Sequence, residues 1–488
     1  MSVAFPGPGE RAAADADAGS ETAFREKCLD HVRRLALSPG QRRWVSLPAP
    51  AAVAPEAMLA LAPEASFWAG RDEHLIVGLG ESQVLSASGS GRFGALQAQA
   101  ETLLGSVEPV ALLGALPRAP KVLGGCSFRP GGAEEPPWAD FGDARFVLPQ
   151  VSFEQTPAGC TLSVLLSGDS PVEQQLQPAL SLRARLPQLT LPRSGPAQLL
   201  APSPAGSVGR SLATGHDLAE PASKEQAQWA SAVVDILTRI RSGACSKVVA
   251  ALRQELHFAA PLDVAATVAA LCAGRAGASS PATAFAFQHA GVTFCGATPE
   301  RLIRRVDQCL QTEALAGTFQ RGDASFAQEL LRSPKEHEEH APVLQAIVEA
   351  LSPVCRQLSY PDHPQICELP HLLHLHTPVT ATLRAPMHVL NLVERLHPTP
   401  AVGGVPRELA QDWIAHHEPH ERGWYAGPVG WFDARGDGDF FVALRSGLLQ
   451  GQRAFLFAGA GIVAASEPHT EYAETQLKLR GLRAALRS

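Results

Sequence analysis

The chain has 488 residues with a formal net charge of −7, 45% hydrophobic and 18% charged residues. This excludes the basic surface of a nucleic-acid binder and the composition of a disordered or fibrous chain. The length suits one large domain or two smaller ones. No apolar run reaches the ~18 residues of a membrane span, and the acidic N-terminal stretch lacks the apolar core of a secretion signal. Nine scattered cysteines contain no CxxC pair and read as small buried hydrophobes in a reducing compartment. A cytoplasmic protein with neither nucleic-acid nor membrane partners is expected.

Residues 1–22, rich in Ala, Gly and Asp, read as a mobile tail, and the globular pattern begins near Phe24. Strand-like runs fall at 74–79, 145–148 and 161–166, with a helical run at 94–104. A Pro/Ser/Gly-rich connection over 186–223 divides an N-terminal half (23–223) from a denser C-terminal half (224–488). The second half opens on a helix at 224–242, where Trp229, Val233, Leu237 and Ile240 fall at helical spacing. Strands follow at 247–251, 284–288 and 292–296, then helices over 324–351 and near Glu394. Strands at 438–444 and 453–457 precede a closing helix at 471–486. Strands at hairpin spacing flanked by long helices predict an α+β fold with antiparallel sheets rather than βαβ repeats.

One spacing occurs twice. Glu336 and Glu339 stand at i, i+3, as do Glu471 and Glu474, and Lys478 lies one turn beyond. On a helix such residues share a face. Four converging carboxylates would repel by about 1 kcal/mol per pair in water. A hard divalent cation such as Mg²⁺, which takes one or two carboxylates directly and keeps several waters, would resolve that. Two solvated helix faces explain the same spacing, and on spacing alone that is the commoner explanation.

Other patterns carry less. The Gly459-Ala460-Gly461 stretch lacks the third glycine and the helix of a dinucleotide loop, but lets backbone N–H groups approach a small anion. His374 and His376 share one face of an alternating segment, with His371 three residues before His374, yet no HExxH motif accompanies them. GxSxG and P-loop signatures are absent from the sequence.

Read in order, the segments of the C-terminal half resemble the chorismate-binding enzymes. They are Lys247-Val-Val, Gly296-Ala-Thr-Pro-Glu300-Arg-Leu, Thr312-Glu-Ala-Leu-Ala-Gly-Thr318, Lys335–His340, His374-Leu and Leu396-His-Pro-Thr-Pro-Ala401-Val-Gly-Gly404. Gly423-Trp-Tyr425-Ala-Gly-Pro-Val-Gly430, Ala443-Leu-Arg445-Ser, Gly459-Ala-Gly461 and 471–478 complete the series. The family includes isochorismate, salicylate, anthranilate and aminodeoxychorismate synthases. The resemblance is dense from Lys224 onward and looser upstream. It implies a single large α+β domain of two mostly antiparallel sheets flanked by helices, as in anthranilate synthase component I, with chorismate as substrate and Mg²⁺ as cofactor. By match, Glu339 and Glu474 hold the metal directly and Glu336 and Glu471 through waters. Tyr425, Arg445, Gly459, Gly461 and Lys478 hold substrate carboxylates, with Thr318, His374 and Ala401 lining the same site. Lys247 matches a general base that activates water and Glu300 a general acid that protonates the departing hydroxyl.

Among the branches, Ala316 stands where some aminodeoxychorismate synthases carry a lysine nucleophile. The HPTPAVGG form is similar to that of isochorismate synthases, and Ala401 stands near where salicylate synthases tend to place a threonine. The resemblance therefore implies isochorismate formation for menaquinone or siderophore synthesis, by a monomer without an obligatory glutaminase subunit. Salicylate synthesis, anthranilate-type amine transfer and a silent chorismate-binding regulator are the alternatives.

Overall fold

The computed structural model describes residues 8–191, 199, 224–274, 282–320, 324–369 and 372–487. Most of the expected connection over 186–223, and His371, lie outside the described residues.

The hub is the 13-residue strand Ala144–Thr156. One edge pairs along its length with Leu75–Ser86. The other pairs with Lys121–Cys126 at its start and Gly159–Ser167 at its end. Two arms leave this hub. The first runs through Leu75–Ser86, Ala65–Ala69, Thr283–His289, Val292–Thr298, Ser446–Gln450, Arg453–Ile462, Lys247–His257 and Gly404–Val405. The second runs through Lys121–Cys126, Pro428–Asp433, Gly438–Val442, Arg301–Val306, Cys309–Gln320 and Leu372–Leu383. Among the described residues every pairing is antiparallel except that of Arg42–Ala49 with Val107–Ala111. The expected antiparallel α+β class holds, but the two expected sheets are one hydrogen-bonded network. A strand longer than either of two neighbours on one edge can pair with both, and so joins the layers. Between the arms Trp68 meets Phe441 with ring centroids 5.6 Å apart, and over Gly124 the hub's Phe146 meets Phe432 two strands away at 5.2 Å.

The chain crosses between the arms at two adjacent places. Thr298 ends a strand of the first arm and Arg301 starts one of the second, and Glu300 lies in the step. Val442 ends a strand of the second arm and Ser446 starts one of the first, and Arg445 lies in that step. The crossings bind each other: the Thr298 hydroxyl donates to the Val442 carbonyl at 2.5 Å, and the Val442 N–H donates to the Glu300 carbonyl at 3.0 Å. Ala426 N–H donates to Ala443 O at 3.0 Å, tying in the segment that carries Tyr425. Below it Trp424 packs among Phe141, Phe287 and Phe294 at 5.0–6.3 Å, ring pairs worth about 0.5–1.5 kcal/mol each beyond their buried area.

The expected helices are present, with two differences. The stretch over 324–351 is two helices, Ala324–Arg332 and Pro334–Leu351. Ser333 between them caps the second, its side chain accepting the Glu336 N–H, and its Pro-x-Glu continuation matches a capping box with proline in the first turn. The expected tail over 1–22 is corrected from Pro8 onward, where the helix Pro8–Arg34 begins. Its six alanines favour a helix without an amphipathic period, and its end is anchored through buried Cys28 and Val32. Among the described residues no helix is long and apolar enough to cross a membrane.

Candidate active site

The two acid pairs stand on helices whose buried stripes begin with a glutamate. Pro334–Leu351 buries Glu336, His340, Val343, Ile347 and Leu351; Pro468–Ala485 buries Glu471, Thr475, Leu479, Leu482 and Ala485. The i, i+4 apolar periodicity that seats each helix therefore also carries a carboxylate inward. Glu336 accepts the Thr318 N–H at 2.8 Å. That N–H is freed by a bulge at Gly317, whose φ of +77° lies in the left-handed region. Burial, then the Glu339 charge, pushes Glu336 up to about 7, against the Thr318 N–H and Lys335. Glu471 is likewise raised by burial and Glu474, with Lys335 opposing at 3.0 Å. Burial would raise Glu339 too, but Lys247 and Lys478 outweigh it and hold it below its ordinary value.

Glu339 Oε1 takes the Lys247 ammonium at 3.2 Å, and Glu474 takes Lys478 at 2.6 Å. With Lys335 on Glu471, lysines thus occupy three of the four carboxylates. Among the described residues, the trio of ligand atoms lying within 4.8 Å of one another is instead Glu64, Glu81 and His289. There the Arg145 guanidinium already sits 2.6 Å from Glu81 and 3.2 Å from His289, so a cation is in place.

A cleft of about 670 Å³ opens where the crossings meet these helices. Of the expected residues, Glu300, Thr318, Glu339, His374, Ala401, Tyr425, Arg445, Gly459 and Lys478 form its wall. Glu336, Glu471 and Gly461 lie behind that wall, and Glu474 faces an adjoining groove that shares Thr318. Lys247 is also behind the wall, 1% exposed and turned onto Glu339. Burial pushes the Glu300 carboxyl up to about 8; the Glu313 charge adds to the rise, and Lys247, the Thr399 hydroxyl and Lys478 oppose it. A carboxylic acid protonated at neutral pH faces the cavity.

Opposite stands a cationic cradle. Arg445 makes no ion pair among the described residues; its guanidinium donates to His374 Nε2 at 3.2 Å. Burial lowers it to about 10, against Tyr425 and Glu474. His374 is held well below its ordinary pKa by burial and then by Arg445 and Lys478, so the imidazole is neutral. Its Nδ1–H donates to the Gly317 carbonyl at 3.0 Å, leaving Nε2 to accept from Arg445. Tyr425 stacks on Phe457 at 5.2 Å, and burial raises its phenol, which stays a donor. Lys478 donates to the Gly459 carbonyl at 2.9 Å. An unneutralised guanidinium, a phenol and an ammonium around one cavity suit an anion with more than one carboxylate.

The sequence model described as chorismate binding enzyme matches residues 49–487. The chain belongs to the chorismate-binding enzyme family. It is 39% identical over 380 residues to the salicylate biosynthesis isochorismate synthase of Pseudomonas aeruginosa, covering 76% of this chain and 75% of the relative. It is 34% identical over 374 residues to the isochorismate synthase MenF of Bacillus subtilis, covering 75% and 74%. The solved structure of the menaquinone-specific isochorismate synthase MenF from Escherichia coli superposes with a TM-score of 0.74 at 26% identity, over 95% of this chain and 99% of that one.

Within this chorismate-binding chain, the sequence reading missed three groups. Arg422 lines the cleft but is consumed by Glu418 at 2.5 Å and by the Val402 and Val249 carbonyls at 2.8 Å, so it braces the wall. Thr399 stands 3.5 Å from Glu300. Glu313, inside the Thr312–Thr318 segment, is buried with Arg71 and His376. The pairing of Glu313 with Arg71 had no local signal, because Arg71 lies 242 residues away. The Gly459–Gly461 stretch, read as a loop, lies inside the strand Arg453–Ile462. Its glycines answer to crowding rather than to a turn: a Cβ on Gly461 would meet Glu339 Oε1 at 2.5 Å and Lys247 Cε at 2.8 Å.

Proposed function

We propose that the protein is an isochorismate synthase, an isomerase that adds water at C2 of chorismate, expels the C4 hydroxyl and releases isochorismate for menaquinone or siderophore synthesis. The observation that carries this reading is Glu300, a carboxyl raised to about 8 in the wall of a cation-lined cleft, with the buried Lys247 close enough to act on its titration. The names of the relatives, and Ala401 in the cleft wall, support the same product.

The donor set of Glu336, Glu339, Glu471 and Glu474 fits Mg²⁺. It is all oxygen, as a hard cation prefers, and two of its members are raised by like charge as well as burial. Held there, the ion supplies positive charge for the ring carboxylate of the substrate. Arg445, Tyr425 and the Gly459 backbone orient the pyruvyl carboxylate, and Lys478 adds charge beside them. The Lys247 amine, once deprotonated, takes a proton from water as its oxygen bonds to C2. The ring double bonds shift, the C4–O bond breaks, and Glu300 gives its proton to the leaving hydroxyl. One water enters and one leaves, so the product is an isomer; solvent exchange returns the proton from Lys247 to Glu300.

The test is to incubate the protein with chorismate and Mg²⁺ and identify the product by NMR. Isochorismate is expected. Salicylate with pyruvate, or anthranilate dependent on ammonia, contradicts the reading.

A further inference from the structure

The backbone on both sides of Glu300 is held by one buried ion pair. The Glu313 carboxylate receives two Arg71 nitrogens, Nη1 at 2.8 Å and Nη2 at 2.7 Å. The same Arg71 Nη2 donates to the carbonyl of Pro299, the residue before Glu300. Glu313 Oε1 accepts the N–H of Arg301, the residue after it, at 2.7 Å. His376 Nε2 meets the remaining Glu313 oxygen at 3.0 Å. The side chains of Arg71 and Glu313 are 11% and 6% exposed. Pro299 reaches the cleft wall, but Arg71, Glu313, Arg301 and His376 do not, so the ion pair itself is not placed to touch substrate.

A surface ion pair would contribute little here, and a buried one is not in itself stabilising relative to apolar residues. This pair, however, is joined to the two peptide groups that flank Glu300, and it leaves an anion behind the carboxyl. We propose that Glu313, fixed by Arg71, is a positioning residue for Glu300: it aims the carboxyl by gripping the flanking peptide groups, and its negative charge keeps that carboxyl in the proton-donating form. The inference rests on the reading of Glu300 as general acid. Other charged groups bear on Glu300: Lys247 and Lys478 oppose the effect of Glu313, and Thr399 donates to the carboxyl. Behind the clamp, Arg301 is paired with Asp439 at 3.0 Å and is neutralised by it. Glu313 itself is pushed up by burial but held down at about 2 by Arg71 and His376, so it is anionic throughout the working range.

The experiment compares kcat/KM against pH for wild type, Glu313→Gln and Glu313→Asp, with circular dichroism to establish folding. The glutamine keeps an oxygen for the Arg301 N–H but removes the charge and leaves Arg71 cationic. Glu300 then ionises more readily, and the alkaline limb, which reports the acid, is expected to move down by about one pH unit. The aspartate keeps the charge and is expected to restore the limb to within a few tenths of a unit while lowering kcat through misaim. If Glu313→Gln does not fold, the double variant Arg71→Met/Glu313→Leu fills the site with apolar groups, and the limb is again expected lower. Infrared difference spectra against Glu300→Gln read the protonation of Glu300 independently of turnover. A limb and a carboxyl band unmoved in a folded, charge-removed variant overturn the proposal. A wild type that makes no isochorismate, or a Glu300→Gln variant with full activity, overturns the underlying reading instead, so the two failures are distinct.

Discussion

Lys247 and Glu300 are both buried, and the proposed reaction asks opposite things of them: one must lose a proton and the other must keep one. For Glu300 the surroundings supply the answer through burial and the Glu313 charge. Activity is therefore predicted to persist to about pH 8 and to fall above it as the acid ionises. Glu300→Gln should lower kcat by roughly 10²–10⁴-fold, the usual worth of a general acid. It should also raise the unfolding midpoint at alkaline pH, because the folded protein binds a proton there that the unfolded chain releases, and this costs stability as pH rises from 4.5 to about 8. Thermal unfolding at pH 8 checks it; an unchanged or lower midpoint contradicts it. Lys247→Ala should abolish turnover while chorismate binding by calorimetry is retained, and an active variant would remove Lys247 from the mechanism. Both residues were legible in the sequence through their ordered motifs. What was not legible was their surroundings: Glu313 is an ordinary acidic residue until the fold brings Arg71 to it.

At the scale of elements, the acid helices were visible through the i, i+3 spacing of their glutamates, whereas the Ser333 cap that splits 324–351 in two was passed over. Their carboxylates' partners were not visible, since Lys247 and Lys335 reach them from elsewhere. The glycine pair shows the opposite error. Glycine reads locally as a turn, but on the Arg453–Ile462 strand it is required by the close approach of Glu339 and Lys247. Gly461→Ala is predicted to push these two side chains apart and to lower kcat by about 10²-fold, the cost of an ångström-scale misplacement, with the midpoint of urea unfolding little changed. A fully active Gly461→Ala would show that the Lys247–Glu339 geometry tolerates displacement. The two strand crossings were only half legible: the GATPE and ALRS segments marked Glu300 and Arg445, yet nothing local says that both step between the arms of one network.

At the scale of the molecule, that network depends on the hub strand, and its most heavily charged contact is Glu154. Burial would raise this carboxyl, but Lys121 and His74 outweigh burial and hold it at about 2. Lys121 lies 2.8 Å away on the Lys121–Cys126 strand of the second arm. The contribution is complete above the ordinary value of 4.5 and is lost as pH falls toward 2. Glu154→Gln is predicted to cost roughly 3 kcal/mol at neutral pH and to flatten the acid limb of stability, measured by urea unfolding between pH 3 and pH 7. Equal acid sensitivity in the variant would place the effect elsewhere.

The central claim is that this cleft adds solvent water to C2 of chorismate while the original C4 hydroxyl leaves. Turnover with Mg²⁺ in ¹⁸O-water, read by mass spectrometry and ¹³C NMR, tests it most directly. Isochorismate carrying one solvent oxygen at C2 and none of the original C4 oxygen is expected. Isochorismate with an unlabelled C2 oxygen, or a product without a C2 hydroxyl, would contradict it.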